Sequence, residues 1–154
     1  MDLVVENFGR INHGLLNQFH QFKGLTDAVY INDIIVRNWK IVPLEFKINW
    51  NINSNNWKPI TTVEATPALY KFVLEIDDEP EDTFVDVQGW TKGITIVNGF
   101  VLGRHFFIGP QQTLYLPAPL LRIGSNDFIV FEHYDAKKYL KFSIAPIFGN
   151  TLYV

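Results

Sequence analysis

The side chains that could do chemistry are few and scattered. Five carboxylates crowd one stretch, Asp77, Asp78, Glu79, Glu81 and Asp82, around Pro80. Glycoside hydrolysis needs two facing carboxyl groups, one as acid and one as nucleophile or base. These five sit on a turn between two strand-like runs with nothing near to desolvate them, so they read as a solvated loop. Glu132, in the run FIVFEHY, and Glu6, in VVENFGR, stand apart from other acids. Alternation places Glu132 on the face opposite Phe131, where pairing with an Arg or Lys on a polar sheet face is expected. Glu6 takes the same reading. His13, His20, His105 and His133 show neither HxH nor HExxH spacing, which gives a metal site little support. Ser54, Ser125 and Ser143 lack a G-x-S-x-G context, so a nucleophilic serine has none. The glycines of GFVLG belong to a hairpin rather than to a phosphate loop. The absence of Cys excludes disulfides, thiolate ligands and thiol nucleophiles. No cofactor is implied.

Sugar binding needs aromatic faces to stack on a pyranose and polar groups to bond its hydroxyls. The candidates are Trp50, Trp57, Trp90, Arg104 and His105. Trp90, flanked by Gly89 and Lys92-Gly93, is expected on the core or rim of a sandwich. Trp50 and Trp57 lie in an Asn-rich stretch, 49–59, that reads as an exposed loop. Arg104 is expected to pair with a carboxylate or to cap carbonyls near Gly109-Pro110. For each of these residues a core or interface role outweighs sugar binding.

The elements that must position these residues read as strands. Tyr70 to Ile76 alternates cleanly, and so do Ile94 to Val97. Asn98-Gly99 between Val97 and Phe100 is a hairpin signal, because both residues tolerate positive φ. Thr113 to Leu116 is a short strand stopped by Pro117 and Pro119. Further strands are predicted over 3–8, 26–31, 34–36, 39–48, 83–87, 126–134 and 139–146. Residues 13–22 allow a single helical turn, and Leu120 to Ile123 allow another, bounded by Pro119 and Gly124. Short strands punctuated by Gly, Pro and Asn predict an all-β sandwich with jelly-roll order.

The chain has 154 residues, of which 47% are hydrophobic and 15% aromatic, enough for a real core. The net charge of −3 comes without a basic block, so nucleic-acid binding has little support. The apolar runs are of strand length, too short for a membrane-spanning helix. Met1 runs at once into the strand-like Asp2 to Glu6, which suggests a chain cut from a longer protein.

The run GWTKGITIVNGFVLGRHFFIGPQQTLYLP, from Gly89 to Pro117, resembles the C-terminal region of glycoside hydrolase family 35 β-galactosidases. That region typically reads W-x-K-G-x-x-x-(V/I)-N-G-x-x-L-G-R-(Y/H), followed by G-P-Q-x-T-L-(Y/F)-(L/V)-P. The similarity continues through Gly124 to Glu132. It also appears earlier, in Val5 to Asn12, Lys23-Gly24-Leu25 and Trp39 to Leu44. Residues 47–66 match poorly. The resemblance implies a galactose-binding-like jelly roll over 47–154, preceded by the terminal strands of a truncated jelly roll over 1–46. It implies a parent enzyme that hydrolyses terminal β-D-galactosides with two glutamates on an upstream catalytic barrel. No position here matches those motifs. This chain alone is then expected to be non-catalytic, with a structural role in packing against that barrel. The alternative is an independent carbohydrate-binding module for galactosides. Strands of a truncated roll would have lost neighbours, which predicts a homodimer or a strand exchange.

Overall fold

A computed structural model describes residues 1–6, 9, 11–47, 57–61 and 67–149. The chain divides into two compact units, Met1–Pro43 and Leu44–Val154.

In the first unit the regular structure is slight. A 3-10 turn covers Leu16–His20, within the stretch that allowed one. Strands β1 (Tyr30–Ile31) and β2 (Ile34–Ile35) form an antiparallel hairpin. Asn32 and Asp33 turn it with φ of 47° and 65°, the double positive of a type I′ turn. The strands predicted over 3–8 and 39–48 do not appear among the described residues. A period-2 pattern supplies a face but not a partner, and a strand exists only when paired. Positive φ at Asn38 (60°) breaks extension just before the second of these runs, and at Phe46 (51°), already in the second unit, within it. The strand predicted over 26–31 survives only as its last two residues.

The second unit is a β-sandwich. Its strands are β3 (Ala68–Ile76), β4 (Thr83–Asp86), β5 (Lys92–Val97), β6 (Phe100–Phe106), β7 (Thr113–Leu116), β8 (Gly124–Glu132) and β9 (Lys141–Ser143). A four-stranded sheet runs β3-β8-β5-β6, and a three-stranded sheet runs β7-β4-β9. Every pairing is antiparallel. The second 3-10 turn covers Ala118–Leu120, two residues earlier than expected, because Pro117 and Pro119 suit its start.

The two sheets bury one core. Tyr70, Val97, Phe128 and Val130 face it from the larger sheet, and Val85, Leu114 and Leu116 from the smaller. Fully burying each such side chain contributes about 1.5–3 kcal/mol before entropy is counted. Trp90 closes one end at 2% exposure, edge-on to Tyr70 and Phe72 with ring centroids 5.7 and 5.9 Å away. The outer face of the larger sheet is apolar as well. Ile96 and Phe131 are buried there, with Leu69, Ile94 and Ile129 around them, and Phe46 packs on Phe131 at 5.4 Å.

Two local devices hold the register. Asn98 and Gly99 turn the β5–β6 hairpin with φ of 49° and 82°. The Asn98 side chain donates to Leu120 O and Asn126 Oδ1 and accepts from Asp127 N. Between β5 and β6 the register shifts at Thr95/Ile96: Thr95 faces Gly103 and Ile96 faces Val101, so Leu102 is the extra residue of a bulge.

Candidate functional site

The strongest polar constellation lies inside the sandwich. Phe128, Val130 and Glu132 share one face of β8, and that face is the interior one. Glu132 is completely buried. Its Oε1 accepts from the backbone amides of Lys92 (3.0 Å), His133 (3.0 Å) and Tyr134 (2.9 Å). Its Oε2 accepts from Thr91 N and from His105 Nε2, each at 3.1 Å. This corrects the sequence reading of Glu132 as a surface partner for Arg or Lys. The outer face of β8 is not polar, because Phe46 covers Phe131, so the acid falls on the interior side. A carboxylate there is tolerable only when its lone pairs are satisfied.

His105 approaches from β6 at 4% exposure. Its Nε2 bonds the carboxylate, and its Nδ1 lies 3.4 Å from Thr95 Oγ1. The acceptor at Nε2 assigns the proton to that nitrogen, which leaves Nδ1 to accept from Thr95 in the neutral ring. The ring stands edge-on to Trp90 at 6.3 Å. Gly93 makes room for the pair: a Cβ there would meet Phe131 O at 1.9 Å and the His105 ring at 2.9 Å. Burial alone would raise the Glu132 pKa. The His105 hydrogen bond, the amides of Lys92 and Tyr134 and the attraction of His105 outweigh it and hold the carboxyl below its ordinary 4.5.

The arrangement satisfies itself. With five donors around it, the carboxylate has no direction left for a substrate, and among the described residues no second carboxyl bonds it or its His105 partner. It joins the start of β5, the end of the β6 edge strand and the segment after β8.

The other sequence candidates are dispersed. Trp90 and His105 are interior and present no face to solvent. Arg104 is exposed on β6, Trp57 is half-buried, and Trp50 lies outside the described residues. Of the acidic run, Asp77, Asp78, Glu79 and Glu81 are exposed. Asp82 has defined partners, accepting from Ala118 N at 2.8 Å and Tyr115 Oη at 2.6 Å. It thereby caps the 3-10 turn after β7. The Ala118 amide and then the Tyr115 hydroxyl hold its carboxyl below 3.8, and the same contact raises Tyr115 above 10.0. Among the described residues, no group of three His, Asp or Glu could hold a metal ion, and no helix is long and apolar enough to cross a membrane.

Sequence reasoning missed the Glu132–His105 pair. The signal available was a lone acid in an otherwise apolar strand, together with a glycine at the facing position of β5.

Comparison with known proteins bears on both units. Residues 1–45 match the family model "Beta-galactosidase, first all-beta domain", and residues 67–126 match "Beta-galactosidase, galactose-binding domain". Human "Beta-galactosidase-1-like protein 2" is 39% identical over 154 residues, covering 99% of this chain and 24% of its own length. "Beta-galactosidase 17" of Arabidopsis thaliana is 34% identical over 84% of this chain and 21% of its own. "Beta-galactosidase" of Bos taurus is 34% identical over 84% and 22%. The chain thus spans about a quarter of the length of these relatives. The sandwich, its Asn-Gly hairpin and these two matches agree: the chain belongs to the β-galactosidase family, as a region composed of its non-catalytic all-β and galactose-binding domains.

Proposed function

We propose that this chain is the structural, domain-packing part of a larger β-galactosidase that hydrolyses terminal β-D-galactosides. The catalytic glutamates lie on a barrel elsewhere in that polypeptide, and the chain alone does no hydrolysis. The observation that carries this reading is the match to two non-catalytic domains across about a quarter of each relative. The state of Glu132 supports it, since its carboxylate is fully engaged. On this reading residues 1–46 are the terminal strands of a preceding jelly roll and 47–154 are the galactose-binding-like roll. The test is turnover of a chromogenic β-galactoside by the pure 154-residue protein. None is expected, and steady turnover abolished by no contaminant control would overturn the reading.

A second reading, an independent galactoside-binding module, has two supports: the match of residues 67–126 to a galactose-binding domain, and the half-buried Trp57 in the Asn-rich stretch. Trp50 and Arg104 are its other candidates. Calorimetry with galactose and a galactan, repeated on Trp57→Ala, decides it. Heat lost in the variant supports binding, and no heat with either ligand rejects it.

Self-association follows from the first unit. None of its described residues is buried, and Leu16, Phe22 and Ile41 are each more than four-fifths exposed. A two-residue-per-strand hairpin is too small to stabilise itself. A homodimer through these strands is expected at high concentration, and a monomeric sedimentation profile there would reject it.

A further inference from the structure

The five hydrogen bonds on Glu132 are not distributed evenly over the sandwich. Four come from backbone amides that belong to two places: Thr91 and Lys92 at the start of β5, and His133 and Tyr134 just past β8. The ladder itself contributes little there. Gly93↔Glu132 is the last partner pair of β5 with β8, and beyond it His133 N bonds Lys92 O at 2.9 Å. Thr91 Oγ1 reaches Asp135 O at 3.4 Å, the weak outer limit of a hydrogen bond. Beyond that one backbone bond, the carboxylate is therefore the main hydrogen-bonded tie between these two chain segments.

We propose that Glu132 is an acid-released clasp: ionised, it fastens the segment after β8 to the start of β5, and protonated, it lets that segment open while the rest of the sandwich stays folded. A neutral carboxylic acid keeps one O–H donor and cannot accept from five donors at once. At least one part-buried donor then loses its partner, which favours opening to water. The segment that opens, residues 133–140, is the connection between β8 and β9, which carries no strand or helix.

The neighbours of the carboxylate define its titration. From β6 it meets His105. From the start of β5 it meets the Lys92 amide, while the Lys92 ammonium lies over the Phe106 ring at 5.6 Å. From its own strand end it meets the His133 and Tyr134 amides, while the His133 ring packs on Phe131 and Tyr134 at 4.9 and 6.2 Å. β3 brings Tyr70 against Trp90, whose indole also meets the His105 ring. Since the folded carboxyl is held below 4.5, the clasp is fully closed above that pH. Its contribution is lost as pH falls below 4.5 through the folded value.

Amide hydrogen exchange on the 154-residue chain tests this, with protection corrected for the intrinsic pH dependence. Thr91, Lys92, His133 and Tyr134 are expected to lose protection together at acid pH, before Val130 in the core. Glu132→Gln is expected to show that loss already at pH 7. His105→Leu keeps the amide cradle but removes one donor to the carboxylate. It is expected to move the opening midpoint up by about one pH unit, a tenfold change in the acid constant. His105→Leu also serves if Glu132→Gln does not fold. Opening of the four amides only together with Val130, or an unmoved midpoint in His105→Leu, overturns the clasp.

Discussion

The Asn98 carboxamide nitrogen lies 2.9 Å from Asn126 Oδ1, so the turn of one hairpin is bonded to a strand that joins the sheet 28 residues later. Asn126 is fully buried and has every polar atom engaged, accepting also from Arg122 N and donating to Arg122 O and Gly124 O. Asn126→Ala leaves these partners stranded. It is expected to lower stability by about 2–3 kcal/mol in urea unfolding, within the cost of orphaning buried polar groups. A loss below about 0.5 kcal/mol would show that water replaces the side chain.

Gly93 and Gly124 separate two reasons for glycine. At Gly93 a methyl group would collide with backbone, Phe131 O at 1.9 Å, so β5 and β8 would have to part. Gly93→Ala is expected to cost at least about 3 kcal/mol or to prevent folding, as overpacking against a backbone atom does at its upper end. Gly124 has φ of 88° with open space around its Cβ position. Gly124→Ala should cost only the left-handed penalty of about 1–2 kcal/mol. Equal costs in a thermal melt would refute the distinction.

Asp82 and Tyr115 report on each other. Tyr115→Phe removes the second of two hydrogen bonds that depress the carboxyl, so the Asp82 pKa should rise part of the way toward 3.8 in an NMR titration. It should stop short, because the Ala118 amide remains. Asp82→Asn should return the Tyr115 phenol toward 10.0, read by ultraviolet absorbance. A shift in one partner without the other would mean the contact is not formed in solution.

Phe46 is the cover of the outer apolar face. Phe46→Ala uncovers Phe131 and Ile96 and is expected to cost about 3 kcal/mol, with increased binding of a hydrophobic dye. An unchanged midpoint would place the cover elsewhere.

How much of this was legible follows from what alternation encodes. β3 and β7 were readable because one face of each is polar or half-exposed and Pro or acidic turns mark their ends. The Asn98-Gly99 turn was readable because its backbone demand is local. β8 was placed correctly as a strand, but its polarity was misjudged: both faces are covered, so the run FIVFE gives no clue to which side is inner. Glu132 could only be assigned by knowing what lies above Phe131, a contact with Phe46 that is distant in sequence. The apolar runs over 3–8 and 39–48 promised strands whose partners the described residues do not supply. The identity of the family, by contrast, rested on long ordered motifs and needed no structural detail.

The single inserted residue in β6 has a wider effect than its size suggests. Were Leu102 paired with Thr95 in an unbroken ladder, the position facing Gly93 would go to Arg104, and His105 would point outward. One residue of slippage therefore selects which side chain meets the hidden acid: the imidazole that stands beside the Trp90 indole, or a guanidinium. Deleting that leucine would close the bulge and leave His105 opposite Gly93, whereas drawing it into the ladder would change the electrostatic partner at the heart of the domain.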